Sequence, residues 1–226
     1  MSWRIAALRV RRLRHRQRVR GNVLAQCWQR PLPSTATDWR DSHFLACDAE
    51  MSGLDAERAE LLSLGWVDID SGAIQLDSGE HHLIRPQASV GQSATIHQLR
   101  DCEFDDASSL SEVLERFLAA AAGKVLVFHN AVLDLAFLDR ACLGLFGSPL
   151  LMPYVDTLAL EHRLLARRNQ QMGQGELRLQ ACRDRYKLPD YGAHNALVDA
   201  LATAELLAAH ASKRAAGGKL ALGALM

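Results

Sequence analysis

Residues 44–50 read Phe-Leu-Ala-Cys-Asp-Ala-Glu, a short apolar run that ends in two carboxylates separated by one residue. The four apolar residues Phe44 to Cys47 predict a buried strand. Side chains two positions apart on a strand project from the same face, so Asp48 and Glu50 would meet at one point. Two acids there repel each other unless a cation lies between them. A bare Asp-x-Glu pair is also typical of a solvated strand end.

The sequence around this strand predicts one α/β domain. Residues 61–69 and 73–84 are further strand candidates, and the tight-turn sequence Asp-Ser-Gly between them predicts an antiparallel meander of three strands. Helical and strand patterns then alternate. Helices are expected over residues 109–122, 131–145, 157–167, 177–187 and 196–216, and strands over 125–128 and 154–155. The pattern predicts a mixed five-stranded sheet, three antiparallel strands and then parallel ones, flanked by helices.

Two more motifs place polar residues at predicted helix starts. Asp134 would lie on the first turn of one helix, where the helix dipole favours an acid in any protein. Asp199 would lie near the start of the last helix, which Asn195 is expected to cap. His194 would stand on the loop just before that helix, where its ring could swing over whatever Asp199 binds. Taken singly, each of these residues also has an ordinary structural explanation.

The three motifs together indicate a site, because strand ends and helix starts are where open α/β sheets place their ligands. The candidate set is four carboxylates and one imidazole: Asp48, Glu50, Asp134, Asp199 and His194. Hard oxygen ligands select Mg²⁺ or Mn²⁺ rather than zinc. Two such ions about 3.5–4 Å apart are the usual device for in-line displacement at phosphorus.

The same motifs resemble those of the DEDDh 3′→5′ exonucleases, the relatives of the proofreading epsilon subunit of bacterial DNA polymerase III. The similarity covers roughly residues 43–210 and keeps the family's order. Met51-Ser52-Gly53-Leu54 resembles the family's Thr-Thr-Gly-Leu turn, Ile96-His97 its Val-His or Ile-His pair, and Asp156-Thr157 its Asp-Thr pair. Met51-Ser52 departs from the usual Thr-Thr, which puts in question how the terminal base or sugar is gripped.

The resemblance implies a ribonuclease H-like fold that hydrolyses single-stranded nucleic acid, DNA in the first instance, from the 3′ end to nucleoside 5′-monophosphates. It implies that Asp48, Glu50 and Asp199 hold a first Mg²⁺ or Mn²⁺, that Asp48 also holds a second, and that Asp134 assists through water. His194 would be the general base that deprotonates the attacking water. The pocket for the terminal nucleotide would be lined by Ser52, Leu54, His97, Asn130 and Leu133.

Two other functions stay open at this point. An RNA-directed exonuclease, such as an oligoribonuclease or an RNase T-like enzyme, shares every one of these ligands, because sugar selectivity depends on contacts to the 2′-hydroxyl. The second open function is that of a catalytically idle accessory subunit that only binds nucleic acid. After about residue 211 the sequence has no recognisable clamp- or polymerase-binding peptide, which favours a stand-alone enzyme over a polymerase subunit. A polymerase partner and a dimer stay open.

The chain of 226 residues has a formal net charge of zero, but its basic and acidic residues are unevenly distributed. Residues 1–40 hold ten Arg and one acid, and the remainder carries a balance of −9. We expect a basic arm and linker at residues 1–38, the exonuclease domain at 39–212 and a short tail at 213–226. The arm is either a short amphipathic helix or disordered. It could contact nucleic acid, dock on an acidic partner, stay solvated or serve as a transit peptide.

Composition excludes several other classes of protein. No run of about 18 apolar residues is present, so no membrane span is predicted. The five cysteines are odd in number and form no Cys-x-x-Cys pair, which argues against a disulfide framework or a thiolate zinc site. We expect a cytoplasmic protein.

Overall fold

The strand that carries the two carboxylates is the centre of the sheet. A computed structural model describes residues 3–86, 106–167, 173–192 and 194–226. Its five strands are β1 (Phe44–Met51), β2 (Leu61–Asp70), β3 (Ala73–Leu83), β4 (Val125–Phe128) and β5 (Tyr154–Asp156). They lie in the order β3-β2-β1-β4-β5.

The pairing of these strands confirms the predicted fold class. β1 is antiparallel to β2 and β2 to β3, whereas β1 is parallel to β4 and β4 to β5. A parallel pair needs a crossover, and helices supply it. The helices are α1 (Trp3–His15), α2 (Val23–Gln29), α3 (Leu110–Ala121), α4 (Ala131–Phe146), α5 (Thr157–Arg167), α6 (Leu179–Asp184) and α7 (Ala196–Ala215).

Alternate residues of β1 enter two separate cores, one on each face of the sheet. Leu45 and Cys47 pack in the core that holds the buried residues of α3 and α4. Phe44 and Ala46 pack in the core that holds Leu207 and other residues of α7. Because side chains alternate along a strand, Asp48 and Glu50 continue the face that α7 covers.

The ends of the helices follow the capping residues of the sequence. Ser109 and Glu112 form a capping box at the start of α3, and Asn195 caps α7 by accepting hydrogen bonds from Leu197 N and Val198 N, both at 3.2 Å. The helix predicted over 177–187 is shorter, 179–184. Asn130 precedes α4 in the left-handed region (φ 77°) and makes no side-chain cap.

The arginine-rich N-terminal segment is helical and packs on the sheet domain, which is the first of the two alternatives that the sequence left open. Ile5, Leu24 and Cys27 are buried. Arg12 Nε donates to Leu151 O at 2.9 Å, and Trp28 Nε1 donates to Leu150 O at 3.0 Å. The boundaries at residues 38 and 212 stay a prediction.

The C-terminal residues pack against the segment that precedes β1. Trp39 N donates to Leu220 O at 2.8 Å, and Leu222 N donates to Thr37 O at 2.8 Å. Cys27, Cys47, Cys142 and Cys182 are buried free thiols. Within the described ranges, no helix combines the length and the apolar character that crossing a membrane requires.

Candidate active site

Three carboxylates converge where β1 ends. One carboxylate oxygen each of Asp48, Glu50 and Asp199 can be chosen so that all three lie within 4.8 Å of one another. β1 supplies the first two from one face, and α7 lays Asp199 against that face. Glu50 is buried and the other two are half-buried. The structure therefore brings together three of the four predicted acids in a group of the size that holds a divalent cation.

Gly65 of β2 allows the start of α7 to pack closely on the sheet. It lies opposite Asp48 in the β1–β2 register. A Cβ at residue 65 would lie 2.6 Å from the carbonyl oxygen of Ala196 and even closer to the backbone nitrogen of Leu197. No side chain fits there, so the glycine lets the first turn of α7 rest on the strand. Gly65 was not among the residues predicted for the site, although a glycine inside a strand signals such an approach.

Asp134 lies at the edge of this group. It is on the first turn of α4, on the other side of the sheet, and only 5% exposed. Burial raises its pKa to about 7; backbone hydrogen bonds, including one from Ala49, lower it, and the charges of Asp156 and Glu50 raise it further. Its charge is in turn the largest of those that raise the pKa of Asp48.

Every predicted acid of the site has a raised pKa. Burial and then the charges of Asp134, Asp199 and Glu50 hold the pKa of Asp48 well above its usual value. Burial and the charge of Asp199 raise the pKa of Glu50 to about 7. Burial raises the pKa of Asp199 although hydrogen bonds from His194 and Asn195 lower it. A divalent cation among these oxygens would remove both the repulsion and the cost of burial, so the residues present fit a metal.

His194 stands directly before α7, as predicted, and is exposed. Its backbone is left-handed (φ 71°), and its N–H donates to Asp199 Oδ2 at 2.9 Å. A positive charge on its ring would lower the pKa of Glu50. A non-glycine residue held in this backbone region is a departure that tends to occur at functional sites.

Four of the five residues predicted to bind the nucleotide are described, and His97 lies outside the described residues. The hydroxyl of Ser52 takes part in a local hydrogen bond, since its Oγ accepts from Glu60 N at 2.9 Å. Leu54 is 83% exposed next to the strand end. Asn130 is exposed, whereas Leu133 is half-buried and packs on the core. Their role in binding stays a prediction.

Two residues that the sequence analysis left without a role order the loops around the site. Asp156 Oδ1 accepts from Asn130 N at 3.1 Å and from Leu158 N at 3.0 Å, so it ties the end of β4 to the start of α5. His129 Nε2 lies 2.8 Å from Leu177 O, and a carbonyl only accepts, so this nitrogen donates. Burial lowers the pKa of His129. The sequence signal that could have indicated a role was position, since His129 directly follows β4 and Asp156 ends β5.

Known proteins are similar to this chain in sequence and in fold. The RNase_T exonuclease family model matches residues 45–207. The PolC-type DNA polymerase III of Thermotoga maritima is 31% identical over 167 residues, 74% of this chain and 12% of the polymerase. The DNA polymerase III epsilon subunit of Treponema pallidum is 29% identical over 175 residues, 76% of this chain and 79% of that protein.

Solved structures agree on the fold. Escherichia coli Exonuclease I, in complex with a dT13 oligonucleotide, superimposes with a TM-score of 0.65 at 17% identity, over 78% of this chain and 42% of that chain. Cell-death related nuclease 4 gives a TM-score of 0.62 at 16% identity, over 79% of this chain and 65% of that chain. The chain thus spans about an eighth of the length of the PolC-type relatives, 12% in Thermotoga maritima, and about two fifths of Exonuclease I.

Proposed function

The chain belongs to the RNase_T exonuclease family, and from that membership we propose that it hydrolyses single-stranded DNA from the 3′ end to nucleoside 5′-monophosphates. The observation that carries the proposal is the convergence of Asp48, Glu50 and Asp199 within 4.8 Å at the end of β1. A protein that only bound nucleic acid would have no physical need to gather carboxylates whose charges repel one another and the phosphates.

The carboxylates would hold two Mg²⁺ or Mn²⁺ ions, the first through Asp48, Glu50 and Asp199 and the second through Asp48. Asp134 would assist through water, in keeping with its buried position on α4. When bound, the metals would stabilise the charge that develops on the phosphate and make the attacking water more acidic.

His194 would act as the general base. A neutral imidazole nitrogen can accept a proton from a water molecule that it contacts, which is the task of a general base. The hydrogen bond from His194 N to Asp199 Oδ2 holds the backbone of His194 beside the carboxylates. The proposal is that the ring reaches the attacking water from there. The water oxygen would bond to phosphorus while its proton passes to a ring nitrogen. The bond from phosphorus to the 3′ oxygen of the preceding nucleotide would break, and that oxygen would take up a proton from solvent.

The terminal nucleotide would bind over Ser52, Leu54, His97, Asn130 and Leu133. Leu54, exposed to 83%, offers an apolar surface on which a base can stack. Asn130 would present its side chain from a backbone whose N–H donates to Asp156 Oδ1 at 3.1 Å.

A 5′-labelled single-stranded DNA oligomer tests the proposal. We expect a ladder that shortens from the 3′ end with Mg²⁺ or Mn²⁺ and no shortening in EDTA. Asp48→Ala and Asp134→Ala should each abolish the ladder, whereas Asp77→Ala, which removes an exposed acid of β3, should leave it intact. If Asp48→Ala shortens the strand as fast as the parent, the proposed site is wrong.

A second candidate is an RNA-directed exonuclease, which the name of the matching family favours. A matched ribo-oligomer in the same assay separates the two, because only the 2′-hydroxyl differs. Faster shortening of the RNA strand would assign the enzyme to RNA. No shortening of either strand with either metal would indicate the accessory subunit instead.

A further inference from the structure

A basic groove runs between α1 and α2, away from the carboxylates. Its volume is about 660 Å³, and both helices and the turn between them line it. Five of the lining residues are arginines and one is a half-buried tryptophan: Arg9, Arg12, Arg16, Arg20, Arg30 and Trp28.

Among the residues that the structure describes, no carboxylate lines this groove, and the sequence of residues 1–37 contains no Asp or Glu. In the described parts of the chain, Arg16, Arg20 and Arg30 form no ion pair, and all three are exposed. A concentration of positive charge without internal compensation attracts a polyanion.

Arg12 makes the floor of the groove rigid. Its Nε donates to Leu151 O, and its guanidinium lies 5.4 Å from the centre of the Trp28 ring. Burial lowers its pKa to about 10, which leaves it charged at neutral pH, and the Cys27 thiolate would raise that pKa. A half-buried cation and an aromatic ring side by side form a surface on which a phosphate and a base can both bind.

The groove lies about one helix length from the active site. α4 carries Asp134 on its first turn and ends at Phe146, and the next residue, Gly147, lies beside the backbone of Arg18. Sixteen residues at 1.5 Å per residue span about 24 Å. A single strand at the ~3.4 Å spacing of stacked nucleotides needs about seven of them to cover that distance.

We propose that this groove is a second binding site for the single strand whose 3′ end occupies the active site. The groove holds phosphates of nucleotides upstream of the scissile bond. Residues 41–226 carry a net charge of −9 and repel the strand elsewhere, so the groove makes long strands bind more tightly than short ones. This inference rests on the proposed function for the identity of the strand.

The experiment compares two variants that each remove two positive charges from the full chain. Arg16→Gln with Arg20→Gln changes exposed groove residues and spares Arg12, whose loss could unfold α1. Arg116→Gln with Lys219→Gln is the matched control at exposed positions that do not line the groove. Binding of a labelled 20-nucleotide DNA strand is measured by fluorescence anisotropy in EDTA, and hydrolysis of a trinucleotide is measured with Mn²⁺.

We expect the groove variant to raise the Kd for the 20-mer about tenfold and to reduce the slope of log Kd against log salt by about 1.4, the value for two lost phosphate contacts. Trinucleotide hydrolysis and the control variant should match the parent. An unchanged Kd for the 20-mer at low salt would overturn the proposal, as would an equal loss in the control variant or an equal loss for the trinucleotide.

Two further results separate this proposal from others. If the groove variant loses binding to phosphatidylserine vesicles but keeps its affinity for DNA, the groove is a membrane surface and the proposal is wrong. If the parent binds the 20-mer through the groove in EDTA but hydrolyses no strand with either metal, the proposed function fails while the groove stands as a nucleic-acid site.

Discussion

Glu50 and Asp134 are the two residues whose raised pKa, about 7 for each, can be tested without an activity assay. Unfolded, their pKa values would be about 4.3 and 3.9. Between about pH 4 and 7 the metal-free folded state therefore keeps protons that the unfolded state has lost, so the free energy of unfolding decreases as the pH rises. We expect the Tm in EDTA to fall by at least about 5 °C between pH 5 and pH 8.

Metal should reverse this loss, because a ligand that binds only the folded state stabilises it. At pH 8, Mn²⁺ in hundredfold excess over its Kd should raise the Tm by about 5–10 °C. Asp48→Asn should raise the metal-free Tm at pH 8 and abolish the gain from Mn²⁺. A parent Tm that is the same at pH 5 and pH 8 in EDTA would contradict the raised pKa values of Glu50 and Asp134.

Gly65→Ala is the substitution that best tests the contact between α7 and β2. The added methyl would meet the backbone of Ala196 and Leu197, which cannot rotate away, so α7 must shift and carry Asp199 with it. We expect a loss of about 1–3 kcal/mol in the free energy of unfolding and at least about a hundredfold loss in kcat/KM. Urea unfolding and the strand-shortening assay measure these.

Gly144→Ala is the control for this change. Gly144 lies inside α4, and a Cβ there meets nothing within 4 Å. Alanine favours a helix over glycine by about 1 kcal/mol, so this variant should be at least as stable as the parent and fully active. If Gly65→Ala behaves like Gly144→Ala, the close approach is not required.

The site was predictable where a local pattern of the sequence marks a residue, and hardly where a residue acts without such a pattern. Asp48 and Glu50 are two apart on a strand, so their common face followed from the period of two, and Asn195 was recognisable as a cap. Gly65 and Asp156 act through a missing side chain and through backbone hydrogen bonds, respectively. Such contributions depend on which elements become neighbours in space, which one sequence does not show.

Among the elements, α5, α7 and the end of α6 are joined by one buried carboxylate. Glu161 Oε1 accepts from Tyr186 OH at 2.6 Å and lies 2.8 Å from His210 Nδ1, while Oε2 pairs with Arg185 Nε at 3.1 Å. Its side chain is fully buried. Burial raises the pKa of Glu161, but the hydrogen bonds from these three residues outweigh it and hold the pKa below its usual value.

Glu161→Gln should therefore change how stability depends on pH. A carboxylate with a lowered pKa stabilises the fold above its unfolded pKa of about 4.3, and this contribution is lost as the pH falls through its folded pKa. At pH 7 we expect the free energy of unfolding of the variant to be about 3 kcal/mol below that of the parent. Between pH 5 and pH 3 it should fall less steeply than that of the parent.

Urea unfolding at several pH values checks this, with Glu115→Gln on the exposed side of α3 as the control. The control should follow the parent at every pH. A Glu161→Gln variant whose midpoint of unfolding falls as steeply below pH 5 as that of the parent would show that Glu161 does not account for the acid sensitivity.

The strands and the long helices were predictable because their patterns are local. β4 and α5 have the predicted bounds, and α4 and α7 differ from them by a single residue. α2 was not predicted, although Asn22 caps it, since its seven residues are too few to show a helical period. Its packing on the sheet domain, through Leu24 and Cys27, decides that it forms.

At the scale of the whole molecule, the family match over residues 45–207 confirms the resemblance first seen in a few scattered motifs. What the motifs did not show is how the flanking segments attach. The N-terminal segment buries Ile5, Val19, Leu24 and Cys27 in the two cores.

Removal of residues 1–30 should consequently unfold much of the molecule rather than only weaken binding. Each buried aliphatic side chain contributes about 1.5–3 kcal/mol, and a domain has only about 5–15 kcal/mol in total. We expect the truncated chain to lose most of its free energy of unfolding in urea titrations. A truncated chain as stable as the parent would mean that the segment is an independent arm.

The hydrogen bond from Arg12 to Leu151 joins residues 139 positions apart, and that between Leu220 and Asp38 joins residues 182 apart. Ribosomes add about 5–20 residues per second, so the N-terminal helices leave the ribosome about 7–28 s before the surface that holds them exists. During that interval ten arginines are exposed on an unfinished chain, and the domain closes only when its last residues have been made.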